Sequence, residues 1–163
     1  MDLEPKLEGV YLAFGGGTGV LCFLDFIAYI LRYIADKVAE NLYGEKNNKI
    51  MLDEDFSAIS PDFKLIFFSA FKDKFSTIFQ ELCERMHFFS EKYGFLNSVF
   101  KYYVRIAKNQ PQKWDKNFLS QELGVHKDKI KKVYICGTSD FIEDISIQVL
   151  ETNLVEKDKI YLI

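Results

Sequence analysis

Cysteine, proline and histidine are all scarce in this sequence. Its 163 residues include three cysteines, three prolines and two histidines. The cysteines, Cys22, Cys83 and Cys136, are far apart along the chain, and no two of them have the spacing of metal ligands. The sequence therefore predicts no metal site, and it favours a reducing, intracellular compartment over a secreted, disulfide-linked protein. A chain of this length buries about 70% of its unfolded surface and needs no such cross-links to hold a core.

Positive charge is not in excess either. Lys and Arg number 21 against 24 Asp and Glu, which leaves a formal net charge of −3. Nucleic-acid binding depends largely on basic side chains that release counterions, so we expect no nucleic-acid partner. Residues 1–8 carry four charges and do not resemble a signal peptide.

The sequence has one long hydrophobic run, residues 9–34, interrupted by Thr18, Asp25 and Arg32. This run is nearly long enough to cross a bilayer. The glycines within residues 15–19 divide it, and a carboxylate in mid-helix is costly in lipid. We therefore expect a buried strand followed by a helix, with membrane contact only through regions outside this chain.

Short apolar runs alternate with helical patterns along the whole chain. Strands are predicted at residues 10–14, 63–69, 100–107, 132–136 and 159–163. Helices are predicted at residues 19–42, 75–89 and 118–123, and after a cap at Thr138 or Ser139. Residues 43–61 are polar and predict a long loop. The alternation predicts an α/β fold, a doubly wound five-stranded parallel sheet with helices on both faces. Among the strand orders open to such a sheet, we expect 3-2-1-4-5.

Two glycine-bearing turns, residues 15–19 and 136–138, follow the first and fourth strands. Doubly wound sheets bind ligands beyond the carboxyl ends of their strands, where the strand order reverses. Glycines there allow a phosphate to approach the backbone closely. Neither known fingerprint is complete, because Val20 replaces the last glycine of Gly-x-Gly-x-x-Gly and no Walker lysine follows. Phosphate binding and a turn that needs glycines only for packing both remain open.

Cys136 ends the predicted fourth strand. No His or Lys adjoins it in sequence to lower its pKa, so the residues predict a small buried side chain and not a covalent nucleophile.

Together, these motifs resemble those of the ferredoxin–NADP reductase superfamily, especially its cytochrome b5 reductase-like branch. Residues 16–20 resemble the Gly-Gly-Thr-Gly-Ile turn of that family. Residues 64–69 and 103–107, with Trp114 seven residues later, are similar to its second and third strands. Residues 133–137 resemble its Cys-Gly-Pro turn, with Phe141 where the family commonly has Met. The resemblance covers residues 9–163 in the family's order.

The resemblance implies that residues 1–163 form a single NAD(P)-binding module that presents NAD(P)H for hydride transfer to FAD. It implies a catalytic position for Thr18, near the nicotinamide and flavin, and for Cys136, which would position the nicotinamide C4. The cofactor-binding residues that it implies are Gly16, Gly17, Thr18, Gly19, Ser69, Phe71, Lys72, Gly137, Thr138 and Phe141. Phe14, Phe71 and Phe141 are expected to line a face for nucleotide or for a flavin domain.

The sequence departs from the family pattern in three places. Leu21-Cys22 stands where the family has Ala or Thr and then Pro, and Thr138 replaces the Pro of Cys-Gly-Pro. In the family, an Arg that contacts the adenosine phosphate often follows the second strand. The matching position here is near Phe71, where the only nearby basic residues are Lys72 and Lys74. NAD(H) is therefore favoured over NADP(H).

The family's FAD-binding barrel has no counterpart in these residues. We expect FAD to be bound by a domain in cis or trans, with electrons passing to an unidentified acceptor, and no activity without that domain. The alternative is a non-catalytic, degenerate reductase-like module that acts as a structural or docking subunit. A third hypothesis is a flavodoxin-like, phosphate-binding domain that binds FMN in place of NADH.

Overall fold

The computed structural model describes residues 6–44, 56, 58–93, 96–107 and 114–163. Five strands occur in this part of the chain: β1 Val10–Gly16, β2 Lys64–Phe71, β3 Phe100–Ile106, β4 Ile130–Cys136 and β5 Ile160–Leu162. They alternate with four α-helices, which are α1 Leu24–Tyr43, α2 Gln80–Lys92, α3 Lys116–Gly124 and α4 Ser139–Glu151. Most of the predicted loop at residues 43–61 lies outside the described residues.

All five strands are parallel and form one sheet in the order β3-β2-β1-β4-β5. This confirms the predicted fold class and strand order. β1 is the central strand, and residues 10–15 are buried, as a continuous apolar run in a parallel sheet requires. The order reverses beside β1, where Gly15 is aligned with Ser69 of β2 on one side and with Cys136 of β4 on the other.

The sheet is covered on both faces, and each face has its own core. Helices α1 and α2 pack on one face, where their inward residues include Phe26, Ile30 and Met86. Helices α3 and α4 pack on the other face through residues such as Leu119 and Ile145. Because side chains alternate along a strand, β1 contributes to both cores.

A row of stacked aromatic rings crosses three strands beneath α3 and α4. Phe14 stacks on Phe68 with ring centroids 4.5 Å apart, and Phe68 stacks on Tyr103 at 4.9 Å. Trp114 meets Phe68 edge-on at 5.4 Å, and Phe118 meets Tyr103 edge-on at 5.6 Å. Such pairs contribute about 0.5–1.5 kcal/mol each beyond the area that they bury.

The α-helix predicted at residues 19–42 begins as a 3₁₀ helix in the structure. Gly17–Phe23 forms a 3₁₀ helix, and α1 continues directly from it. Together, residues 17–43 are long and apolar enough to cross a membrane by length and composition alone, a criterion that core helices of soluble proteins also meet. Phe26, Ile27, Ile30 and Ile34 of this helix are buried against the sheet.

The second predicted helix, 75–89, starts five residues too early. The carboxylate of Asp73 accepts hydrogen bonds from the amides of Phe75 and Ser76, and this closes a separate 3₁₀ turn, Lys74–Ser76. Phe79 then has φ 59°, which interrupts the helical path before α2 begins at Gln80. Local capping by one side chain therefore overrides the apolar periodicity.

Candidate functional site

A cleft of about 490 Å³ lies at the carboxyl ends of the strands. Since β1 and β4 are neighbours, both glycine-bearing turns face it. Its volume lies within the range of about 300–1,000 Å³ that is usual for ligand pockets. The lining residues come from four strand ends and the start of α4: Gly16, Gly17, Thr18, Ala70, Phe71, Lys72, Arg105, Ala107, Gly137, Thr138 and Phe141.

The structure brings eight of the eleven predicted site residues together in this cleft. They are Gly16, Gly17, Thr18, Phe71, Lys72, Gly137, Thr138 and Phe141. Thr138 also accepts a hydrogen bond from the amide of Phe141 and so caps α4, as one of the two predicted caps. The other three, Gly19, Ser69 and Cys136, do not line the cleft.

The glycines of the turn at residues 15–19 have two different roles: some allow close packing, and one leaves its backbone accessible to a ligand. A Cβ at Gly19 would lie 2.4 Å from the carbonyl oxygen of Cys136, and one at Gly15 would lie 2.9 Å from the side chain of Val20. These two glycines are therefore required for packing. Gly17 has φ +57°, and apart from its chain neighbours no described residue has an atom within 4 Å of the position a Cβ would take. Its backbone is the part of the turn left open to a ligand.

Ser69, one of the predicted site residues, does not line the cleft. Its side chain is fully buried, and its hydroxyl is hydrogen-bonded to the hydroxyl of Tyr102. Burial raises the pKa of Tyr102, so this phenol stays protonated. The strand alternation directs Ser69 into the core under α1 and α2, away from the cleft.

Cys136 lies behind the glycine turn. Only 7% of the residue is exposed, and its thiol lies 3.2 Å from the thiol of Cys22. Burial, followed by the contact with Cys22, raises the pKa of Cys136 to about 11. A thiol with that pKa is protonated near neutral pH, so Cys136 is not activated to attack a bound substrate. Cys22 and Cys136 are far apart in the sequence, but the fold brings their thiols into contact.

Arg105 of β3 is a cleft residue that the sequence reasoning missed. It is aligned with Ala70 of β2, and Ala70 is aligned with Gly16 of β1. Because both of these neighbours are small, no large side chain of that row separates Arg105 from the glycine turn. The Nε of Arg105 is buried and has no hydrogen-bond partner among the described residues. A buried donor without an acceptor needs an explanation, and a bound anion would supply one.

The charge of the cleft is positive although the chain is acidic. Lys72 and Arg105 line it, and the described residues of its lining include no carboxylate. Cations that converge in a cleft raise the local concentration of anionic ligands. Among the described residues, no group of three or more His, Cys, Asp or Glu side chains is placed to hold a metal ion.

Phe141 covers the two glycine turns where they meet. A Cβ at Gly16 would lie 2.8 Å from its ring, and one at Gly137 would lie 2.7 Å from it. Phe71 also lines the cleft, although it is only 3% exposed. The expectation for Phe14 was wrong, since that side chain is fully buried in the stacked row beneath the cleft.

The fold and this cleft define a class of domain, a doubly wound α/β module with its site at the strand-order reversal. Three solved structures of this architecture are similar to the chain. Flavohemoglobin from Malassezia yamatoensis with bound FAD and heme matches 99% of the chain at 12% identity, with a TM-score of 0.57. The CS-b5R domains of human Ncb5or, in the NAD⁺ form, match 96% at 16% identity and a TM-score of 0.54. The H286K mutant of ferredoxin-NADP⁺ reductase from Plasmodium falciparum, in complex with 2'P-AMP, matches 95% at 13% identity and a TM-score of 0.52.

These likenesses confirm, at the level of the fold, the resemblance to the reductase module. The chain spans 32%, 36% and 53% of the lengths of these three proteins. No protein-family model matches the sequence, and no curated protein does.

Proposed function

We propose that this chain is the nicotinamide-nucleotide-binding half of a flavin-dependent oxidoreductase. It presents NAD(P)H for hydride transfer to FAD, which a separate domain holds in cis or trans, and an unidentified acceptor takes the electrons. The observation that carries this proposal is the buried Nε of Arg105, which has no hydrogen-bond partner among the described residues and lies in a cleft lined by Lys72 and an open glycine backbone. A dinucleotide has the negative charge that such a cleft lacks.

The groups present fit the phosphates of such a nucleotide. Arg105 donates from a fixed fork and Lys72 adds a flexible point charge, while Gly17 lets the backbone come close. When bound, the nicotinamide supplies a hydride, and the protein contributes orientation and exclusion of water. Thr18, on the same turn, is the residue we assign to contact the nicotinamide. Cys136 positions that turn through the backbone contact with Gly19.

NAD(H) remains the expected nucleotide, because Phe71 stands where an Arg often follows the second strand. Arg105 is the residue that would favour NADP(H) instead, since a guanidinium pairs well with a phosphate monoester. Comparing the affinities of the wild type and of Arg105→Gln for NADH and for NADPH measures the contribution of Arg105 to the choice of nucleotide.

The alternative function, a non-catalytic docking module, draws on Phe141. Its ring lies against Gly16 and Gly137 and narrows the place where the two turns meet. Binding by the wild-type protein decides between the two functions, because a docking module has no need to bind a nucleotide.

The test is a titration with NADH and NADPH, read by quenching of Trp114, the only tryptophan in the chain. Trp114 lies 6.2 Å from Phe14, which immediately precedes the glycine turn, so reduced nicotinamide in the cleft is within energy-transfer range. We expect saturable quenching by the wild-type protein. Arg105→Gln removes a charge-assisted hydrogen bond worth about 1.5–3 kcal/mol, so binding should weaken by about 10- to 150-fold.

Arg85→Gln is the matched control for Arg105→Gln. It removes the same charge from an exposed arginine of α2 that is paired with Glu81 and is not part of the cleft. Its affinity should equal that of the wild type. Absence of saturable quenching by both nucleotides at millimolar concentration would reject the nucleotide-binding function in favour of the docking module.

A further inference from the structure

Two of the three cysteines meet at the back of the cleft. The Sγ atoms of Cys22 and Cys136 are 3.2 Å apart. Cys22 is exposed on the 3₁₀ helix that follows the glycine turn, and Cys136 is the last residue of β4. One residue of the pair is thus exposed, and the other is buried.

The backbone holds this pair together. Gly19 lies so close to Cys136 that a Cβ at position 19 would be 2.4 Å from its carbonyl oxygen. A 3₁₀ helix has three residues per turn, so side chains at i and i+3 lie on the same side. Cys22 is three residues after Gly19 and therefore returns over the strand end that Gly19 contacts. The thiol contact follows from the path of the chain.

We propose that Cys22 and Cys136 form an oxidative modification site, a dithiol that a peroxide closes to an intramolecular disulfide. Peroxide oxidises the exposed Cys22 thiol to a sulfenic acid and releases one water. The Cys136 thiol, already in contact with that sulfur, then attacks it while its proton passes to the departing hydroxyl group, which leaves as a second water. Two thiols and one peroxide thus give one disulfide and two waters. The sulfur atoms need to approach by only about 1 Å to reach bonding distance.

Cys83 does not take part in this chemistry. It is 1% exposed within the core under α1 and α2, and burial raises its pKa to about 12. A buried, protonated thiol reacts slowly with peroxide. The protein therefore contains an internal reference thiol for counting the other two.

The disulfide would cross-link the two segments that border the cleft. Thr18 precedes Cys22 on the glycine turn, and Gly137 and Thr138 follow Cys136. A bond between the sulfur atoms would fix these segments relative to each other, so oxidation should change the affinity of the cleft for a nucleotide. This consequence rests on the proposed nucleotide-binding function, whereas formation of the disulfide does not.

The experiment treats the full chain with hydrogen peroxide, unfolds it and alkylates the remaining thiols. We expect one alkylated residue, Cys83, in place of three, and before alkylation an intact mass about 2 Da lower, since two hydrogens are lost. Peptide mapping should recover a Cys22–Cys136 link, and dithiothreitol should restore all three thiols. Cys83→Ala is the matched control and should still form the link, whereas Cys22→Ala should form none.

Three alkylatable thiols after treatment, a link between two chains, or a sulfinic acid at Cys136 would each overturn the proposal. Cys22 is exposed, so Cys22→Ala should fold, and an unchanged thermal transition confirms that this variant is a fair comparison. A nucleotide titration of oxidised and reduced protein then measures the effect on the cleft. Because mass and thiol count involve no nucleotide, a failure of the dithiol is distinguishable from a failure of the proposed function.

Discussion

Replacing Gly19 by alanine would place a methyl carbon inside the contact between the glycine turn and the end of β4. That carbon would lie 2.4 Å from the carbonyl oxygen of Cys136, 2.6 Å from its carbonyl carbon and 2.8 Å from the amide of Gly137. All three are backbone atoms of a strand end bonded into the sheet, so no flexible side chain can move aside. The turn or the strand end must shift instead.

Overpacking of this kind costs about 1–3 kcal/mol, and the rigidity of the backbone puts Gly19→Ala near the upper end, at about 2–3 kcal/mol. For a chain of this size, each kcal/mol lowers the melting temperature by about 2–4 °C, so we expect a decrease of about 4–12 °C. Nucleotide affinity should also fall, since the turn that bears Thr18 is displaced.

The measurement is thermal and urea unfolding followed by circular dichroism, with Gly124→Ala as the matched control. Gly124 ends α3, and no described residue beyond its own helix and chain neighbours has an atom within 4 Å of its Cβ position. Alanine there gains helix propensity. The control should be as stable as the wild type or slightly more so. If Gly19→Ala unfolds within about 0.5 kcal/mol of the wild type, the close packing of turn and strand described above is refuted.

Three further predictions follow from the site and its surroundings. Phe68→Ala should cost about 3–5 kcal/mol in unfolding free energy by denaturant titration, because it empties the centre of the stacked row; equal stability to the wild type would contradict that role. Phe141→Ala should tighten NADH binding in the Trp114 quenching assay while lowering stability, because its ring narrows the cleft; weaker binding would assign the ring to the ligand. Burial, then the nearby Lys64, lowers the pKa of His126, so the unfolded state binds more protons below about pH 6.5 and stability should fall as the pH falls through that window. His126→Gln should flatten this slope, and an unchanged slope would rule His126 out.

The parallel α/β sheet could be predicted from the sequence, because it depends on the alternation of apolar runs with helical patterns. That alternation alone does not fix the strand order that brings the two glycine turns together, and the sheet confirms the expected order. The placement of single side chains could not be predicted. Ser69 and Arg105 belong to neighbouring rows of aligned residues, and neighbouring rows face opposite sides of the sheet. Only the strand register therefore shows that Arg105 lines the cleft and that Ser69 enters the core under α1 and α2. The contact of Cys22 with Cys136 depends on a 3₁₀ turn that apolar periodicity does not distinguish from an α-helix.

The stacked row of Phe14, Phe68 and Tyr103 lies one step below Gly16, Ala70 and Arg105 on the same face of the sheet. A ligand in the cleft would therefore rest above parallel, close-packed rings that have almost no rotamer freedom left to lose. The entropic cost of ordering the protein around a ligand would come mainly from the long side chains of Lys72 and Arg105. Ligand affinity should then depend mainly on the side chains of Lys72 and Arg105. The stacked row contributes little to the entropic cost of binding, because it is ordered before any ligand binds.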